Sequence, residues 1–131
     1  MKSLIGNLLL LVFLIVVMVF SMRGNVGNIT PADFTDKSWT ENGPLELSPE
    51  RGRFALVYSI LEDKSLQYTR EVAQLAAPDV AVTTEGKYVT LFAPGVSLIT
   101  LPGYIIGKYF GLSLVGVYSM VALFAILNTF L

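Results

Sequence analysis

The sequence has no cysteine and no histidine among its 131 residues. That excludes disulfide frameworks, thiolate nucleophiles, zinc sites of the usual ligand types and every catalytic arrangement built on imidazole. Any chemistry falls to carboxylates, Lys, Arg, Tyr or hydroxyls. Basic clusters are missing too: the formal charge is -1, with the two signs well mixed, whereas a nucleic-acid surface gathers Lys and Arg against phosphates. Nucleic acid is therefore not an expected partner. Charge is also scarce, at 15% of residues against 53% hydrophobic. Of the nineteen Lys, Arg, Asp and Glu residues, Lys2 and Lys108 are the only ones outside the stretch from Arg23 to Lys87. The chain reads apolar, polar, apolar.

Leu4 to Met22 is nineteen residues without a charge, roughly 28 Å as a helix against a hydrocarbon core of about 30 Å. A cleaved signal peptide is the competing reading, but its apolar region is shorter, about 7 to 15 residues, and ends in a small-x-small site. Here Ser21-Met22-Arg23 follows directly, so residues 1–22 are expected to be an uncleaved first transmembrane helix. The C-terminal apolar block is broken by Gly107-Lys108-Tyr109-Phe110-Gly111, a composition suited to a tight turn at an interface. Two further spans follow, 92–107 and 112–131. The former carries Pro94, Gly95, Pro102 and Gly103, and is expected to be short, kinked and packed on partner helices that satisfy its freed backbone groups.

The fold class expected is thus all-α integral membrane, with three transmembrane helices and an outer loop, 23–91, that carries a juxtamembrane helix and a small β-hairpin. The positive-inside tendency places Lys2 and Lys108 on one side and the loop on the other, extracytoplasmic side of a cell membrane. Within the loop, Ser48 suits a helix cap, Pro49 the first helical position and Glu50 the positive end of the dipole, which predicts a helix over 48–62. Phe54, Val57, Tyr58 and Leu61 recur at helical spacing. This helix either lies along the membrane surface or packs on the loop's own core. A short helix over 69–77 is ended by Pro78, and β-prone runs flank Glu85-Gly86 as a hairpin within 80–91. Asn28-Ile29-Thr30 matches a glycosylation acceptor, a short pattern that occurs often by chance.

In order and spacing, SPERGRFALVYSILEDKSL (48–66) and EGKYVTLFAPGVSLITLPGYIIGKYFG (85–111) resemble the N-terminal region of polytopic GT-C type glycosyltransferases that use lipid-phosphate sugar donors. These include protein O-mannosyltransferases and bacterial aminoarabinose transferases. The resemblance covers roughly half the chain. It implies an N-terminal fragment that moves a sugar from a polyprenyl-phosphate donor to an extracytoplasmic acceptor and is inactive alone. The implied partners are the lipid bilayer, the donor and further transmembrane helices. Glu50 matches the family's catalytic carboxylate, as general base or as ligand to a divalent metal ion. As cations toward the lipid phosphate, Arg51, Arg53 and Lys87 have suitable chemistry. Two departures stand out: Pro49-Glu50 replaces the family's Asp-Glu, and Phe92-Ala93 stands where many members have a lysine before Pro-Pro. Such enzymes also have many more spans than this sequence encodes.

Each candidate has a plainer explanation. A first-turn glutamate stabilises the helix dipole and pairs with Arg53 at i+3, and loop cations are usually solvated. Asp33, Asp36 and Asp79 are further acidic candidates in turn-rich segments, where Asp is common for its local hydrogen bonds. The alternative function is a complete small membrane protein that scaffolds or regulates a larger complex. Its helices would approach through Gly107, Gly111, Ser113, Gly116 and Ser119. A third reading is a secreted loop domain held by its anchor.

Overall fold

The computed structural model describes residues 2–22, 24, 26–36, 43–45 and 47–131, with side chains in the first helix from residue 5 onward. Among these residues six helices and one hairpin follow in the order α1 (Lys2–Ser21), α2 (Pro31–Thr35), α3 (Ser48–Leu61), α4 (Arg70–Ala76), β1 (Val80–Val82), β2 (Tyr88–Thr90), α5 (Gly95–Tyr109) and α6 (Ser113–Thr129).

Local chemistry fixes the starts. Asp33 Oδ2 accepts from both the Thr30 amide and the Thr30 hydroxyl at 2.7 Å, with Pro31 in the first turn of α2. Thr69 accepts from the Val72 amide at the start of α4. For α3 the cap sits one residue earlier than Ser48: Leu47 is the N-cap, and its amide donates to Glu50 Oε2 at 3.4 Å. The hairpin pairs Val80 with Thr90 and Val82 with Tyr88, closing around Gly86 at φ +78°.

α3 is the hub. Gly52 and every residue from Phe54 to Ser59 are buried, so the helix is enclosed all round and does not show a single stripe to a surface. Of the two placements open for it, packing on the protein's own core is the one observed. Phe34 of α2 meets Tyr58 edge-on at 4.7 Å, and the Tyr68 hydroxyl donates to the Gly52 carbonyl at 2.9 Å. On the opposite side Ser97 of α5 donates to the Arg53 carbonyl at 3.0 Å. Burying Phe54, Leu56 and Val57 stabilises the fold by about 1.5 to 3 kcal/mol each.

α5 and α6 form a tight helical hairpin. A Cβ at Gly103 would collide with the Gly116 carbonyl, and one at Gly116 with the Gly103 carbonyl. Gly107 sits on the Gly116 backbone in the same contact. The turn between the helices uses Gly111 at φ +70° and is tied to the segment before α2. There Gly27 donates to the Gly111 carbonyl at 2.8 Å, Asn28 Nδ2 to the Lys108 carbonyl at 3.0 Å, and the Ile29 amide to Ser113 Oγ at 3.3 Å.

The expected three transmembrane helices are not what the structure shows. Among the described residues no helix is long and apolar enough to cross a membrane. α5 has 15 residues and α6 has 17, which is roughly 22 and 25 Å at 1.5 Å per residue, short of a core about 30 Å thick. The physical reason is clearest for α5. Pro94 delays its start to Gly95, and the residues it buries are Ser97, Thr100, Gly103, Tyr104 and Gly107, with Ser97 and Tyr104 bonded toward α3 and its C-cap and the glycines against α6.

The separation of Lys108 from the loop also fails. Lys108 Nζ contacts Glu62 Oε1 at 2.6 Å and Oε2 at 2.7 Å, and the Tyr104 hydroxyl donates to Glu62 Oε1 at 3.0 Å. The lysine is therefore held against the end of α3, within the segment from which it was to be divided. The Lys2 side chain, the other term of that argument, lies outside the described residues.

Candidate functional site

A cavity of about 200 Å³ opens where the first turn of α3 faces the hairpin of α5 and α6. Its walls are apolar, from Leu45, Phe54, Val96, Leu114, Val117 and Val121, and its polar groups are Glu50, Arg53, Thr100 and Tyr118. Helical spacing brings Glu50 and Arg53 to the same face, one turn apart. Gly52 between them makes room for a third element. A Cβ there would stand 2.9 Å from the Phe92 ring, and without it Phe92 lies under the Arg53 guanidinium at 5.6 Å.

The two charged groups are not equally engaged. Glu50 Oε2 accepts the long bond from the Leu47 amide, so this carboxylate caps its own helix. Arg53 Nε is buried and has no hydrogen-bond partner among the described residues. Leaving such a donor unsatisfied costs about 1 to 3 kcal/mol, more for a charged group, and an anion at the guanidinium would relieve it. Thr100 Oγ1 donates to the Ser97 carbonyl at 2.9 Å, and the Tyr118 hydroxyl to the Pro44 carbonyl at 3.0 Å.

No family model, curated protein or solved structure matches this chain. The site must be judged on its own geometry.

Of the four residues singled out in the sequence, Glu50 and Arg53 meet in the cavity and the other two lie elsewhere. Arg51 turns to the opposite side of α3, where its Nη2 donates to the Ala77 carbonyl at 3.3 Å, past the end of α4. Lys87 pairs with Glu85 at 2.9 Å on the exposed hairpin turn. Asp33 is occupied in capping α2, Asp36 is exposed beyond that helix, and Asp79 leads into β1. Among the described residues no three acidic side chains gather to hold a metal ion. Among the described residues Glu50 is the only carboxylate lining the cavity; it could hold an ion of the magnesium class only together with substrate phosphate and water oxygens, and no step is routed through one. The Asn28 amide of the glycosylation-like triplet is engaged with the Lys108 carbonyl.

Sequence reasoning missed Thr100, Tyr118 and the Glu62, Tyr104 and Lys108 cluster. Burial by itself raises the Glu62 carboxyl, but hydrogen bonds from Lys108 and Tyr104, with attraction from Lys108 and Lys64, outweigh it and hold the group below its ordinary range. A signal was present: Lys108 is the one charge after Lys87, and a lone charge in an apolar block demands a partner.

Proposed function

We propose that this chain is the N-terminal part of a membrane-associated glycosyltransferase, which moves a sugar from a polyprenyl-phosphate donor to a hydroxyl acceptor outside the cytoplasm. The observation that carries the reading is the apolar cavity with Glu50 and Arg53 on its polar side. Aliphatic walls suit isoprene units next to a phosphate, and a buried guanidinium nitrogen that has no partner among the described residues suits the phosphate itself.

In the reaction, Glu50 takes the proton of the acceptor hydroxyl as that oxygen attacks the anomeric carbon. The bond from the anomeric carbon to the phosphate oxygen breaks, its electron pair leaves with the phosphate, and Arg53 stabilises the charge that develops there. Phe92 holds the guanidinium in place from beneath. Among the described residues the cavity offers one carboxylate and one cation.

Binding of farnesyl phosphate, farnesol and inorganic phosphate to the detergent-solubilised chain tests this reading. Farnesyl phosphate should bind at least tenfold tighter than either half-ligand, and Arg53→Gln should abolish its advantage over farnesol. Equal binding of farnesol and farnesyl phosphate by the wild-type chain would refute it.

A further inference from the structure

α5 is built inside out for a helix in water. The side packed on the protein carries Ser97, Thr100 and Tyr104 with two glycines, while Leu98, Ile99, Ile105 and Ile106 are exposed. A helix at a protein surface in water shows the reverse order. No charge lies on α5 before Lys108, in its last turn. Tyr109, 84% exposed, and Phe110, 68% exposed, extend the outer face at its C-terminal end, a position where aromatic rings favour a membrane and water interface.

Its placement is equally constrained. Ser97 bonds to Arg53 near the start of α3, and Tyr104 and Lys108 bond to Glu62 at its end, so α5 runs alongside α3 for nearly its whole length. α3 belongs to the charged segment between Arg23 and Lys87. A helix fastened to that segment at both ends stays on that segment's side.

We propose that α5 lies along a lipid surface, with its aliphatic face in the boundary between headgroups and acyl chains and its hydroxyl face on α3. The partner is one leaflet of a bilayer, and the turn at Lys108 is on the same side as the hairpin of β1 and β2. This rests on the membrane association in the proposed function, but not on the sugar transfer.

The absence of cysteine makes the test clean. Single Leu98→Cys, Ile106→Cys and Leu9→Cys variants carry an environment-sensitive fluorophore, in vesicles of phosphatidylcholine and phosphatidylglycerol with quenchers attached at defined acyl depths. Residues 98 and 106 should be quenched at matching depths, about 5 to 10 Å into the boundary region. Depths that differ by roughly 12 Å, the rise of eight helical residues, would mean that α5 runs across the leaflet and would overturn the proposal. Quenching at residue 9 with none at 98 or 106 would place protein over α5 and overturn it too. Quenching nowhere would remove the membrane reading itself.

Discussion

Replacing Gly116 by alanine is the sharpest perturbation of the fold, because one methyl group meets backbone on the facing helix. The added Cβ would overlap the Gly103 carbonyl oxygen and stand 2.9 Å from both the Gly103 carbonyl carbon and the Gly107 Cα. No flexible side chain can yield, so α5 and α6 must separate along the contact. Because only backbone is met, the cost lies in the upper part of the overpacking range, about 2 to 3 kcal/mol, less the gain of about 1 kcal/mol that alanine brings to a helix interior. A net loss of about 1 to 2 kcal/mol corresponds to roughly 4 to 8 °C in Tm for a chain of this size. Gly95→Ala is the matched control: nothing stands within 4 Å of its Cβ, so Tm should hold or rise slightly. The assay is thermal unfolding of both variants in mild detergent, followed by circular dichroism. A Gly116→Ala variant as stable as wild type would refute the close crossing of α5 on α6.

Other outcomes follow from the charged groups and caps. Glu62→Gln should weaken the join of α3 to α5 by about 1 kcal/mol, a charge-assisted value reduced because Lys108 is half exposed. Since the Glu62 carboxyl is held below its ordinary value, its contribution is present above the unfolded-state pKa of roughly 4.3 and lost as pH falls through the lower folded-state value. Unfolding between pH 7 and pH 2 should show that loss in wild type and not in Glu62→Gln. Lys87→Ala, which removes an exposed pair, should change stability by less than about 0.5 kcal/mol and leave farnesyl phosphate binding intact. Thr69→Ala should cost about 1 kcal/mol through the cap of α4, read from denaturant midpoints.

What was legible in the sequence was local. Ser48-Pro49-Glu50 marked the start of α3 to within one residue, Pro78 the end of α4, and Glu85-Gly86 the hairpin, because each depends on neighbours in sequence. The arrangement of helices was not legible. Hydropathy registers that α5 is apolar, but it does not register that Ser97, Thr100 and Tyr104 face the protein and the aliphatics face away. The helix was therefore read as a span. Nor does a charge-based reading of orientation register that Lys108 is paired with Glu62, forty-six residues earlier. At the site, Glu50 and Arg53 were recoverable because they share one helical face. Thr100 and Tyr118 join them only through the packing of α5 and α6, which no local pattern encodes.

The most direct measurement of the central claim is release of polyprenyl phosphate by the full-length protein offered decaprenyl-phosphate-linked hexoses and pentoses, with wild type and Glu50→Gln compared. The account predicts turnover of at least one donor by wild type, a fall of a hundredfold or more in Glu50→Gln, and unchanged farnesyl phosphate binding in that variant. Turnover by Glu50→Gln at the wild-type rate would contradict it.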